Sequence, residues 1–254
     1  MRDDAVHLLE SIFQKGKIQF LIMGLELELE EDETLDGPYG LKIIQKKHGY
    51  RYSQDSLQLV DFAGVKKNDE VIELGTGSGV IALILAQRGL GRRIVGVEIQ
   101  KELAELSRRS VKLNGFEEKI EVIEGDIREV KSLFPPNSFD YVITNPPYVE
   151  TRSGLISPAS QKALARHEII CDMNDVLEAM GYLLKPLKRG ACVYPAARFG
   201  ELIIKSKRKR LEPKRTQFVH PNPKGKAELV MVEFIKEGKP GLDILPPLFS
   251  TTSA

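Results

Sequence analysis

Short apolar runs recur from Asp69 onward, and between them lie longer stretches whose apolar positions return every three or four residues. This alternation predicts strands over 69–74, 93–98, 119–124, 139–144 and 190–195. It predicts helices over 79–88, 100–113, 127–133, 173–184 and 198–210. Strands that alternate with helices imply a parallel sheet with right-handed crossovers. The pattern changes at the end. Residues 215–219 and 228–235 read as two strands joined by His220-Pro221-Asn222-Pro223-Lys224-Gly225-Lys226. That hairpin turns the last strand antiparallel to its neighbours.

Before Asp69 the pattern is less regular. Leu8, Leu9, Ile12 and Phe13 stand at helical spacing and predict an amphipathic helix over 5–15. Residues 18–30 end in Glu26-Leu27-Glu28-Leu29-Glu30, with acids on alternate positions, and predict one strand. Glu31-Asp32-Glu33 and Asp36-Gly37-Pro38 predict loops, and residues 41–45 a further strand. A helix over 54–63 follows, with Ser53 as its N-cap. The organisation expected is an extension over 1–50, one α/β domain over 51–250, and a tail over 251–254.

Composition narrows the class only a little. At 254 residues, 42% hydrophobic and 29% charged, the chain is ordinary for a soluble globular protein. A net charge of +1 gives no global attraction to nucleic acid, so any such binding needs a local patch. Cys171 and Cys192 form no C-x-x-C pair and no disulfide framework, which fits a reducing cytoplasm. The Cys and His spacing suits no zinc site. No run approaches the ~18 apolar residues of a membrane span.

The first chemical signal is a glycine turn between a strand and a helix. Glu73-Leu74 leads into Gly75-Thr76-Gly77-Ser78-Gly79, and the apolar stretch from Val80 to Ala86 follows. Such a turn brings a ligand against backbone N–H groups at a helix N-terminus. The pattern is G-x-G-x-G, and no phosphate-binding G-x-x-x-x-G-K-[ST] occurs, which argues against a nucleoside triphosphate. Glu98 closes the next strand, 19 residues after Gly79, where an acid reaches ribose hydroxyls. Asp126 follows the third strand and suits an adenine amine. Glu73, before the turn, suits a cationic amino group and would repel a pyrophosphate. Amino acid, ribose and adenine together describe S-adenosylmethionine. The cofactor set expected is Glu73, Gly75, Thr76, Gly77, Gly79, Glu98, Ile99, Asp126, Ile127 and Asn145.

The second signal is Asn145-Pro146-Pro147-Tyr148, directly after the strand over 139–144. An exocyclic amine conjugated to a flat ring is a poor nucleophile, because its lone pair is delocalised. The Asn145 amide oxygen and the Pro146 carbonyl can accept its two N–H bonds and turn the lone pair toward an electrophile. Tyr148 can stack on the ring, and the prolines hold the acceptors in place beforehand. Asn145, Pro146 and Tyr148 are therefore the expected catalytic residues. Glu73, Glu98, Asp126 and Asn145 all fall at strand carboxyl ends, where open α/β sheets bind ligands.

Residues 150–165, rich in Ser, Gly and Pro, read as a lid, closed by Arg166 and His167 as candidate RNA contacts. Lys205, Lys207, Arg208, Lys209 and Arg210, with Lys214 and Arg215, form the densest basic cluster, and Lys224 and Lys226 extend it. In a nearly neutral chain this reads as a phosphate-binding face; the bland alternative is a solvated helix end.

Together these segments resemble class I S-adenosylmethionine-dependent methyltransferases. More narrowly they resemble the bacterial family that methylates the exocyclic amine of adenosine 37 in a valine tRNA. The resemblance runs from about residue 34 to 250. It is carried by Gly49-Tyr50-Arg51-Tyr52-Ser53-Gln54-Asp55, Glu73–Gly79, Val97-Glu98-Ile99-Gln100, Thr144–Tyr148, Arg166-His167-Glu168 and Leu245-Pro246-Pro247-Leu248-Phe249. It implies a Rossmann-like, mostly parallel sheet, S-adenosylmethionine as methyl donor, and tRNA as substrate. Rival readings are glutamine N5-methylation of a protein, guanine N2-methylation of ribosomal RNA, and a non-catalytic RNA-binding module.

Overall fold

The computed structural model describes residues 13–14, 17–22, 25–146 and 171–250. Among the described residues the first elements are strands β1 (Phe13–Gln14), β2 (Lys17–Ile22) and β3 (Leu25–Glu30), an antiparallel three-stranded sheet. Two expectations change here. The end of the helix expected over 5–15 is strand, with Phe13 paired to Ile18; residues 1–12 lie outside the described residues. The single strand expected over 18–30 is a hairpin in which Ile22 pairs Leu25. Only Met23 and Gly24 separate the two, and a glycine in a two-residue link is a turn signal.

β4 (Glu33–Asp36), its two end residues expected in loops, pairs antiparallel with β5 (Ile43–Lys46). The acids that read as loop formers are satisfied: Arg109 donates to Glu33 at 2.8 Å, and Arg51 donates to Asp36 at 2.6 Å.

Helix α1 (Gln54–Phe62) leads into the main sheet. β6 (Glu70–Leu74), α2 (Val80–Gln87), β7 (Arg93–Glu98), α3 (Lys101–Leu113), β8 (Ile120–Glu124), the short α4 (Val130–Leu133) and β9 (Phe139–Thr144) follow. Then come α5 (Met173–Leu183), β10 (Leu184–Pro195), α6 (Phe199–Arg208), β11 (Leu211–His220) and β12 (Leu229–Lys236). The spatial order is β11-β12-β10-β9-β6-β7-β8. The five strands from β8 to β10 run parallel, and β12 is antiparallel to both β10 and β11, as the hairpin expectation required. Two short strands not anticipated, β13 (Asp243–Ile244) and β14 (Leu248–Phe249), line the outer edge of β11.

Apolar residues on both faces of the parallel strands account for the core. Val71, Ile72, Leu74, Ile94, Val95 and Val97 are all buried, and so are Ile81–Leu85 of α2. A parallel sheet covered on both faces selects such near-continuous apolar runs. The segment around β5 is tied to α3 by polar bonds: Ile44 N–H donates to Ser110 Oγ at 2.9 Å, and Lys42 N–H to Asn114 Oδ1 at 3.0 Å.

Topology also relocates the basic cluster. α6 starts at the carboxyl end of β10 and runs back, so Lys205 to Arg210 reach the amino end of the sheet. β11 then climbs again toward the carboxyl end, and Lys224 and Lys226 follow it there. Nine strand steps of about 3.3 Å put roughly 30 Å between the two groups.

Candidate active site

At the carboxyl ends of the parallel strands the glycine turn is stitched to β7. The N–H groups of Gly75 and Thr76 both donate to the Val97 carbonyl, at 2.9 and 3.0 Å. Gly77 has φ +55°, and a Cβ there would lie 2.5 Å from the Tyr50 ring. Glycine is required on both counts. Gly96 of β7 is glycine for a different reason: its missing Cβ makes room for Thr76, whose Oγ1 would be 2.9 Å from it.

The turn borders a cavity of about 270 Å³. Of the expected site residues, Gly75, Gly77, Glu98, Ile99, Asp126, Ile127, Asn145 and Pro146 line it. Glu73, Thr76 and Gly79 do not. Glu73, expected to meet a cationic amino group, is buried behind the turn. There its Oε2 accepts from Thr76 Oγ1 at 2.7 Å and from Ala82 N–H at 3.2 Å. Burial pushes its pKa up to about 8, and Glu98 nearby adds to the rise. Tyr148, Arg166, His167 and the expected lid over 150–165 lie outside the described residues.

Glu98 is held by two backbone donors: Gly77 N–H on Oε2 and Gln100 N–H on Oε1, both at 2.9 Å. Its pKa is raised, chiefly by burial. Asp126 is held differently. Its carboxylate accepts from Arg128 Nε at 2.8 Å and Nη2 at 2.5 Å, and caps the Arg128 N–H at 2.8 Å. The Arg128 guanidinium keeps it below the usual carboxylate range. Asn145 leaves the end of β9 with its Nδ2 donating to Ser56 Oγ at 2.9 Å.

Residues outside the expected site set complete the cavity. Tyr50, Arg51 and Ser53 arrive from the segment before α1, Asp55 from its first turn, Gln100 from the N-cap of α3, Leu103 from α3 itself, and Cys171 from just before α5. Tyr50 is 44% exposed, yet burial of its hydroxyl, with Glu73, Glu98 and Asp55 nearby, pushes its pKa up to about 12. Burial also raises Asp55. The signal for these residues was Gly49-Tyr50-Arg51-Tyr52-Ser53-Gln54-Asp55 itself, which carries polar groups ahead of a buried helix.

The basic cluster is largely neutralised by acids of the same chain. Lys205 pairs with Glu201 at 2.7 Å and Arg210 with Glu237 at 3.1 Å. Lys207 pairs with Glu212 and Lys209 with Glu178. Lys214 donates to the Lys239 carbonyl at 3.3 Å. Arg215 belongs to an internal clasp: it lies over the Phe62 ring and reaches Glu233, which is fully buried. Arg208 has no ion pair among the described residues.

The family described as "Methyltransferase domain" matches residues 65–223, more than half of the chain. This chain belongs to that family. A tRNA1(Val) (adenine(37)-N6)-methyltransferase of Aeromonas salmonicida is 34% identical over 150 residues, 59% of this chain and 61% of the relative. The enzyme of the same name from Porphyromonas gingivalis (strain ATCC 33277) is 32% identical over 165 residues, 64% of each chain. The chain thus spans a little under two thirds of the length of these curated relatives. Among solved structures, a predicted O-methyltransferase of Agrobacterium tumefaciens superposes with TM-score 0.61. It is 22% identical, and the match covers 78% of this chain and 90% of that one. The likeness confirms the Rossmann-like methyltransferase sheet.

The methyl donor of this fold family is S-adenosylmethionine, and the donor set fits it. Glu98 offers carboxylate oxygens to ribose hydroxyls. Val97, Ile99, Leu103 and Ile127 give apolar walls for a flat base. Glu98 and Asp55 place carboxyl groups in the cavity wall, where a ligand's hydroxyl or amino groups can donate to them.

Proposed function

We propose that this chain transfers a methyl group from S-adenosylmethionine to the exocyclic N6 amine of an adenine in RNA, with adenosine 37 of a tRNA anticodon loop as the target. The catalytic unit is residues 51–250, with 1–50 as an extension and 251–254 as a tail, working in the cytoplasm where tRNA resides. The observation that carries the reading is the place of Asn145 and Pro146. They directly follow β9, in the wall of the same cavity as Glu98 and the glycine turn. The relatives' names supply the nucleotide and the RNA.

The bound donor supplies an electrophilic methyl group on a sulfonium. The chain supplies positioning. Asn145 Oδ1 and the Pro146 carbonyl accept the two N–H bonds of the amine and localise its lone pair. Proximity and orientation of this kind lower the barrier without a strong base, because the proton leaves once nitrogen carries positive charge. Tyr148 takes the stacking role, worth about 1–3 kcal/mol for a base on an aromatic ring. The base must be splayed out of its stack, which favours a loop over a duplex. Arg166 and His167 are kept as RNA contacts. Lys207, Arg208, Lys209 and Arg210 lie at the amino end of the sheet, away from the cavity, and Lys214 and Arg215 are held by groups of the same chain, so these residues are not assigned to RNA.

Tritiated methyl transfer from S-adenosylmethionine to unmodified bulk tRNA tests this. Label in tRNA, lost in Asn145→Ala while S-adenosylhomocysteine still binds, is the result expected. Label in ribosomal RNA or a protein instead of tRNA overturns it.

A further inference from the structure

Asn145 has two chemically opposite ends, and only one serves a substrate amine. Oδ1 accepts hydrogen bonds, whereas Nδ2 donates them. A flipped amide would present donors to a donor. Catalysis of the proposed kind therefore needs something that holds the amide in its accepting orientation.

Ser56 is placed to do this. Asn145 Nδ2 donates to Ser56 Oγ at 2.9 Å, and Ser53 Oγ lies at 3.5 Å. Ser56 sits in the first turn of α1 and is 2% exposed, so its side chain is packed inside the fold. Its own N–H donates to the Ser53 carbonyl at 3.2 Å.

The helix that carries it is fixed at the other end. Arg215 Nη2 donates to the Phe62 carbonyl at 3.2 Å. Gly64 N–H donates to Glu233 Oε1 at 2.9 Å and to the Tyr141 hydroxyl at 3.0 Å. Leu59, Val60 and Phe62 are buried between these ends. The orientation of Asn145 thus inherits the rigidity of a clamped helix.

We propose that Ser56 is a positioning residue for methyl transfer: by accepting from Asn145 Nδ2 it keeps Oδ1 as the end presented to the substrate N–H. The proposal rests on the adenine-amine reading of this site. Ser56 does not line the cavity and acts through Asn145 alone.

The test compares Ser56→Ala and Ser56→Thr in the full chain, with kcat and KM for unmodified tRNA, affinity for S-adenosylhomocysteine, and Tm. Ser56→Ala lowers kcat about 10-fold with KM, S-adenosylhomocysteine affinity and Tm held, and Ser56→Thr restores most of the rate. In parallel, the Asn145 side-chain amide is followed by 15N NMR, its signal assigned by its loss in Asn145→Asp. Ser56→Ala speeds hydrogen exchange of that amide. Unchanged kcat, unchanged exchange, or equal falls in rate, affinity and Tm would each overturn the proposal. The NMR arm needs no substrate. A wild-type chain that methylates no tRNA, but whose Asn145 exchange still depends on Ser56, refutes the adenine reading and leaves the orienting bond standing.

Discussion

The Thr76 hydroxyl donates to the Glu73 carboxylate across 2.7 Å, and both residues are 2% exposed. A carboxylate so buried favours its protonated form, which is why its pKa rises to about 8. The folded state holds the proton up to about pH 8, whereas the unfolded chain releases it near the ordinary value of 4.5. The stabilisation is complete below pH 4.5 and is lost as pH rises toward 8. Ligand-free wild type therefore loses Tm between about pH 5 and 8 more steeply than Glu73→Gln, which carries no titrating group there. Parallel pH profiles in differential scanning calorimetry would exclude this.

Gly77 is pressed against Tyr50, with only 2.5 Å between the place a Cβ would take and the ring. Gly77→Ala must move Tyr50 and also strain a backbone at φ +55°. Affinity for S-adenosylhomocysteine is expected to fall at least about 10-fold in titration calorimetry, with Tm lowered by a few degrees. Adding Tyr50→Ala removes the clash but not the strain, so it recovers part of the lost Tm.

Charge reversal separates the two basic groups. Lys207 and Lys209 are paired at the amino end of the sheet. Lys224 and Lys226 are exposed at the carboxyl end, with no ion pair among the described residues. Glu228, in the same loop, lies near enough to Asp55 of the cavity to raise its pKa. The double change Lys224→Glu with Lys226→Glu should raise KM for tRNA severalfold and weaken its salt dependence. The pair Lys207→Glu with Lys209→Glu should leave KM within about twofold. Filter binding over a salt series distinguishes them.

What could be read in the chain depended on distance along it. β6, β7 and β9 were legible because a strand buried on both faces writes its apolar character in consecutive residues, as Phe139–Thr144 does. The glycine turn was legible because φ +55° and φ +80° at Gly77 and Gly79 select glycine within a few positions. The N-terminal hairpin was not, since Gly24 interrupts an apolar run only briefly. The basic cluster misled because its counter-charges, Glu178 and Glu237, lie on other elements. Glu73 misled for another reason: a position beside the turn does not say toward which side the carboxylate points. Ser56 escaped notice because its partner lies 89 residues away.

The most direct test of the whole account is the identity and place of the product. A tRNA transcript bearing adenosine at position 37 is methylated with S-adenosylmethionine, digested, and read by mass spectrometry beside a transcript with guanosine there. The account predicts N6-methyladenosine from the first and no methylated nucleoside from the second. Equal methylation of both transcripts, or a product other than N6-methyladenosine, would contradict it.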